Sequence, residues 1–382
     1  MKRHLGLLLI IGSIALLFGK AIAAESGDLL GSLKSQGQIW SSPKVDGDLV
    51  YFGSDDGNIY AYDRNSRKLK WRYATGGKVR SSADFSANAV FFSSDDGLLY
   101  ALDKRSGKLK WKFNLSDKDA KRILPAGYAP WVFDYTKSSP VVDGNVLYIG
   151  SSDHHLYALS ISTGELKWSF KAGDRIRSTA AFNDSLVFIS SWDGGTYALN
   201  KQSGELVWQH ISQTRVVSSP TLIGDKIIIG SRDTRIYALN AQQGHVLWVY
   251  KFSNGSWVES SATKGENDHV FYIGSSDNKQ LMKFDANTGK PLWTFNTQGW
   301  SWGTPTYNNG RVYLGATGAE KNWTTVKRGF FAVDAVTGKE HWSYQPRPIN
   351  DYVHGGVFGS VAVNNDEVFV PDLDGHVYIF KM

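Results

Sequence analysis

Between residues 100 and 111 the chain reads Tyr100-Ala101-Leu102-Asp103-Lys104-Arg105-Ser106-Gly107-Lys108-Leu109-Lys110-Trp111. The same frame returns as Tyr157-Ala158-Leu159, then Gly164-Glu165-Leu166-Lys167-Trp168. Its consensus is Ala-x-Asp-x-x-Thr-Gly-x-x-x-Trp. It runs Ala61–Trp71, Ala101–Trp111, Ala158–Trp168, Ala198–Trp208, Ala238–Trp248, Lys283–Trp293 and Ala332–Trp342. Repetition at fixed spacing is the sequence mark of a repeat architecture.

Working outward from this frame, a longer unit begins at Ser41, Ser81, Ser138, Ser178, Ser218, Ser260, Gly303 and Gly359. The period is about 40 residues, stretched after the second unit and inside the seventh. Each unit holds short β-branched and aromatic runs separated by turn residues, such as Ser54–Gly57, Ser94–Gly97, Thr163-Gly164 and Ser203-Gly204. Asp-Gly and Asn-Gly between alternating apolar runs signal hairpins. Each unit is therefore a four-stranded antiparallel meander, and such units at this period build a β-propeller. The fold expected is all-β, an eight-bladed propeller. The eighth unit stops at Met382 after three strands, and Leu29–Ser35 has no other home. That segment supplies the fourth strand, so the two termini pair and hide an edge. Seven blades with an extra hairpin is the alternative.

Composition limits the chemistry. The chain has 382 residues, of which 42% are hydrophobic, enough for a packed core. The absence of cysteine excludes disulfides, thiol catalysis, Cys-ligated metal and lipid attachment at an N-terminal Cys. Residues 1–23 read as a secretory signal: Lys2 and Arg3, an apolar stretch Leu5–Gly19, then Ala21-Ile22-Ala23 before cleavage. Loss of Lys2, Arg3 and Lys20 takes the net charge from +6 to +3. No Lys/Arg run of nucleic-acid-binding type is present, so nucleic acid is not an expected partner. The expectation is a periplasmic or secreted monomer of one propeller domain, 24–382, with no membrane anchor in its mature form.

The seven-fold motif resembles the tryptophan-docking motif of the pyrroloquinoline-quinone (PQQ) type propellers, over nearly the whole mature chain. That superfamily includes quinoprotein dehydrogenases and non-enzymatic propellers such as the outer-membrane assembly factor BamB. The resemblance implies the fold. It implies little about function, because the motif belongs to packing between blades. A Trp in every outer strand wedges against the next blade, and the Gly supplies a positive φ.

The meander puts first and third turns on one face. Second turns and inter-blade linkers share the other. The long segments Lys112–Lys137, Ala316–Gly329 and Ser343–Phe358 all fall on this linker face. So do the seven Trp outside the motif: 40, 131, 192, 257, 300, 302 and 323. Aligning the repeats brings Trp40, Arg80, Tyr135, Lys137, Arg177, Val217, Glu259, Trp302 and Phe358 to the central channel, with Arg175, Arg215, Arg232, His154, His155 and His354 nearby. An aromatic, cationic mouth suits a planar or anionic ligand. The plainer alternative is that the aromatics cap the channel and the arginines pair with Asp. The Asp recurring in second turns, such as Asp56, Asp96 and Asp193, reads as a turn former.

No His-Glu-x-x-His, phosphate loop, Gly-x-Gly-x-x-Gly or Gly-x-Ser-x-Gly occurs. A PQQ enzyme would need a Ca²⁺ site, for which Glu259 is the one inward acid to nominate, and Trp302 could stack on the quinone. A propeller polysaccharide lyase would need a base, Tyr135 or His354, and a neutralising Arg80 or Arg177. The expectation leans to a protein that binds rather than catalyses and needs no cofactor. Its predicted face is Trp40, Arg80, Tyr135, Lys137, Arg177, Arg215, Trp257, Glu259, Trp302 and His354, offered to a protein or acidic glycan.

Overall fold

A computed structural model of the chain describes residues 24–115, 137–319, 326–351 and 353–382. The signal segment 1–23, Tyr135, Trp131 and Trp323 lie outside the described residues. Among those described, the strands form eight four-stranded antiparallel sheets. Blade 1 holds Lys44–Asp46, Leu49–Gly53, Asn58–Asp63 and Leu69–Ala74, counted from the channel outward. Blades 2 to 7 repeat this order. Blade 8 takes Ala362–Asn364, Glu367–Pro371 and His376–Lys381 from the C-terminus and Leu29–Lys34 from the N-terminus. The expected eight blades and terminal closure are both present. No helix among the described residues is long and apolar enough to cross a membrane.

Burial follows position in the blade. Second strands are packed on both faces, so they read as unbroken apolar runs, as in Leu147-Tyr148-Ile149 and Ile227-Ile228-Ile229. Outer strands alternate, as in Leu166–Lys171, because only one face meets a neighbour. The core is divided into wedges between blades. Tyr148, Leu156 and Trp168 of blade 3 pack against Ile176, Val187, Ile189 and Tyr197 of blade 4.

The motif Trp is the outer peg of each wedge. Trp71, Trp111, Trp168, Trp208, Trp248 and Trp293 each donate their indole N–H to a backbone carbonyl in the third turn of the next blade, at 2.9–3.1 Å. The ring lies on that turn's glycine. A Cβ added to Gly204 would sit 2.5 Å from Trp168, and one on Gly244 2.5 Å from Trp208. Both glycines also hold φ near +75° and +73°, so the motif Gly is required twice over, by backbone conformation and by contact.

The seam between blades 8 and 1 breaks this rule. Ala↔Trp pairs recur in the outer ladder of blades 1 to 5 and 7, and Lys283↔Trp293 in blade 6, but blade 8 pairs Ile379 with Gly31. Opposite it, Arg67 stands where the motif has Gly. Large and small have changed places. Arg67 fills the space at Gly31, donates to the Leu30 carbonyl and approaches Glu367 at 3.8 Å. On the other side of blade 8, Gly27 at φ +89° takes the glycine's place under Trp342.

The serine that begins units 1 to 6 is a clasp. Ser41 donates to the Gly53 carbonyl and accepts from the Gly53 amide, and Ser218 does the same with Gly230. One residue on, hydroxyls link blade to blade around the channel: Ser42 amide to Ser82, Ser82 to Ser139, Ser139 to Thr179, Thr179 to Ser219, and Ser219 to Ser261. Ser360 donates back to Ser42, crossing the closure.

Candidate binding face

Main-chain hydrogen bonds assign the loops to faces as the meander requires. Third turns donate to first turns: Arg64 to Asp48, Ala241 to Asp225, and Ala335 to Gly310. Second turns donate to linkers: Asp55 to Gln38, Asp95 to Lys78, Trp192 to Arg175, Arg232 to Arg215, and Ser276 to Trp257. The second turns hold their shape through the recurring Asp. Asp56 accepts from the Tyr60 hydroxyl at 2.6 Å and from the amides of Gln36 and Asn58. Asp193 repeats this with Tyr197, Gly173 and Gly195. These aspartates are turn formers, as expected. Burial, then the bond to the Asp carboxylate, drives the Tyr60 phenol above its ordinary range.

The linker face is built of concentric rings. The inner ring lines a channel cavity of about 130 Å³ and contains Trp40, Arg80, Lys137, Arg177, Val217, Glu259, Trp302 and Phe358. This is the set the repeat alignment brings together, Tyr135 aside. The middle ring is the variable residue of each second turn, just before its Asp. The outer ring comes two residues before the inner one, with Arg175, Arg215, Trp257 and Trp300.

Several inner-ring residues meet the middle-ring residue of the preceding blade. Arg80 grips Asp55 with two bonds, Nε to Oδ1 at 2.8 Å and Nη2 to Oδ2 at 2.6 Å. Lys137 faces Asp95 at 3.6 Å. In blade 6 the signs are exchanged: Glu259 accepts from Arg232 Nε at 2.6 Å. Trp302 donates its indole N–H to Ser276 at 2.9 Å. Trp40 packs with Leu373 and Phe358, under the Arg80 guanidinium at 4.8 Å. The mouth is thus less cationic than its residue types suggest, because acids of the second turns meet its cations.

The aromatics divide into two groups. Trp40, Trp300 and Trp302 are buried with Ala319, Val326, Val353 and Leu373. Trp300 stacks on Trp302 at 4.9 Å and 13°. They form a hydrophobic cap where the long segments of blades 7 and 8 fold over the channel. Trp257 is half-buried, with Arg232 stacked on it at 4.9 Å. Trp192 is itself buried, and it is flanked by Arg215 at 4.9 Å and Arg175 at 5.8 Å, both half-exposed. Trp257 and this Arg–Trp–Arg stack stand on neighbouring blades. His354 is half-buried and tied through its amide to the Gly318 carbonyl at 2.8 Å.

Asp372, in the second turn of blade 8, replaces the serine that opens this turn in blades 1 to 5. It is fully buried. Burial, and then the neighbouring Asp374, pushes its carboxyl up to about 8, against hydrogen bonds from the Asp374 amide and the Tyr344 hydroxyl. Its departure from the repeat is visible in the sequence, though its burial is not. The partners Asp55 and Asp95 escaped the repeat alignment of the channel alone. The signal was available in the sign change, since Asp55 and Asp95 precede Arg80 and Lys137 where Arg232 precedes Glu259.

No group of three or more His, Asp or Glu among the described residues is placed to hold a metal ion. Glu259 is committed to Arg232, and no second acid stands beside it in the ring.

The family model described as "Outer membrane protein assembly factor BamB" matches residues 20–136, 125–262 and 256–382, which spans the propeller from end to end. The chain belongs to the BamB family. Among solved structures, BamB from Moraxella catarrhalis has a TM-score of 0.68 at 15% identity, covering 93% of this chain and all of that one. The computationally designed Ika8 protein has 0.74 at 16%, covering 93% and 100%. Saccharomyces cerevisiae Sqt1 has 0.71 at 13%, covering 94% and 100%. At these identities the structural likeness concerns the fold alone. No curated protein matches the chain in sequence. The BamB family resemblance carried by the motif is thus borne out.

Proposed function

We propose that this BamB-family propeller is a non-catalytic binding scaffold, exported to the periplasm or beyond, whose linker face engages a protein partner. One observation carries the reading. Channel residues that could do chemistry are already engaged within the chain, as Arg80 with Asp55, Lys137 with Asp95 and Glu259 with Arg232. Outside the channel, Trp257 and the arginines Arg175 and Arg215, which flank the buried Trp192, stay at the surface of blades 4 to 6, positioned by cation–π contacts. Aromatic and Arg side chains held this way favour protein recognition, giving contact area at little cost in side-chain freedom. We take the protein to act as a monomer without a cofactor. A PQQ enzyme would have to pull Glu259 off Arg232 to ligate Ca²⁺, and Trp302 would have to leave its buried stack. A lyase would have to free Arg80 from Asp55.

Calorimetric titration of the purified protein with PQQ, with and without excess Ca²⁺, tests the non-catalytic reading. The expected result is no Ca²⁺-dependent binding. Tight Ca²⁺-dependent binding would overturn it, as would a rise in ultraviolet absorbance on uronate polymers that Arg80→Ala abolishes.

A further inference from the structure

Eight copies of one strand allow the outer rim to be compared with itself. In blade 1 the outer strand and its approach read Lys68-Leu69-Lys70-Trp71-Arg72. Blade 2 has Lys108-Leu109-Lys110-Trp111-Lys112, and blade 3 has Leu166-Lys167-Trp168-Ser169-Phe170-Lys171. The Lys and Arg of these stretches are all exposed, and so are Leu69, Leu109 and Leu166, at 44%, 43% and 51%. The corresponding positions beside the Trp in blade 4 are Val207 and Gln209, in blade 5 Leu247 and Val249, and in blade 6 Leu292 and Thr294.

From Lys68, Lys108 and Glu165 to the ends of their strands, three adjacent blades carry eight cations and one acid, a net +7. The whole chain nets +6, so the remainder is slightly negative. Among the described residues, the ion pair these cations form is Lys70 with Asp63 at 3.1 Å.

Lysines on a sheet edge also discourage edge-to-edge pairing. That need is the same in every blade, yet blades 4 and 5 meet it with valine, leucine and isoleucine. Edge protection therefore leaves the one-sided distribution unexplained.

We propose that the rim of blades 1 to 3 is an electrostatic docking surface for an anionic phospholipid bilayer. Charge complementarity selects the occupant. Seven of the eight cations are lysines, hydrated point charges without the fork that fixes carboxylate geometry. They are spread along a convex rim with exposed leucines between them. Diffuse basic charge interleaved with apolar side chains fits a sheet of headgroups rather than a discrete pocket. Docked by its rim, the propeller keeps its linker face open to a partner.

The test is co-sedimentation with phosphatidylcholine vesicles, pure or with about one-third phosphatidylglycerol. The native protein is expected to bind only the anionic vesicles and to be released by salt. Inorganic phosphate at matched ionic strength should not displace it more than chloride does. The triple variant Lys70→Gln/Lys110→Gln/Lys167→Gln should lose about 100-fold in partitioning. The triple variant Lys251→Gln/Lys290→Gln/Lys339→Gln, with the same charge removed elsewhere on the rim, should bind as the native protein does. Equal loss in both variants, binding to neutral vesicles, or no binding at low salt would overturn the proposal. So would self-association of the first variant with lipid binding intact, which would make the lysines edge guards. Binding to polyglutamate but not to vesicles would overturn it in favour of an acidic protein.

Discussion

Gly204 and Gly144 both hold positive φ, +75° and +56°, but only Gly204 has a Trp ring against it. Alanine at either position costs about 1 kcal/mol of left-handed strain. At Gly204 it must also displace Trp168, so Gly204→Ala should cost at least ~2 kcal/mol more than Gly144→Ala in urea unfolding. Equal costs would mean that the glycine serves the turn and not the docking. Asp372 gives a second test at this scale. Its folded-state carboxyl titrates near 8, far above that of an unfolded chain. The folded state therefore binds the proton more tightly, and stability falls as pH rises from about 4 to about 8. Asp372→Asn keeps the shape and removes the titration. It should match the native melting temperature near pH 4, exceed it by at least ~2 °C above pH 8, and flatten the slope between. An unchanged slope would assign the pH dependence to other groups.

At the scale of strands and turns, the rings of the linker face couple one blade to the next. Asp55→Ala leaves Arg80, whose side chain is 6% exposed, facing Lys78 without its acid. Removing one partner of such a pair costs ~3–5 kcal/mol. Asp55→Ala combined with Arg80→Met should recover most of that, because a buried ion pair contributes little beyond an apolar pair of its size. No recovery would mean that Asp55 works through Lys78 or its turn instead. This is also where legibility in the sequence divides. The turn Gly and Trp positions gave seven blades, and the unit starts with the unplaced Leu29–Ser35 segment gave the eighth, because repetition is visible without coordinates. The inner ring followed by taking the residue just before the Ser or Gly that begins each unit. What stayed hidden was which residues are consumed by their neighbours. Arg80, Lys137 and Trp302 look available for a ligand in one dimension, yet Asp55, Asp95 and Ser276 come from the previous blade. Trp40 and Trp300 likewise look like stacking plates until the long segment of blade 8 folds over them.

For the whole molecule, the ring is held shut at one seam by polar contacts where the other blades use Trp on Gly. Glu367 meets Arg64 at 3.7 Å and Arg67 at 3.8 Å, beside Gly31. Glu367→Ala should weaken closure locally before it unfolds the propeller. Hydrogen exchange should accelerate for the inward-facing amides of Leu33 in the closing strand and of Ser35 just after it, Ser35 donating to the Gly375 carbonyl, and not for the ladder amides of Leu206–Ile211. Uniform acceleration would mean the ring opens only as a whole. With closure intact, the molecule offers its linker face as one preassembled surface, and that is the claim to test. A photo-crosslinking side chain would be placed singly at Gln213 and Asn254 on the linker face, and at Asn145 and Asp225 on the opposite face. Each variant would be exposed to native envelope extract, with excess unlabelled protein as competitor. The account predicts one discrete adduct from the linker-face positions, competed by the native protein and not by a Trp257→Ala/Arg215→Ala variant. Adducts of equal yield from both faces, or competition unaffected by that double substitution, would contradict it.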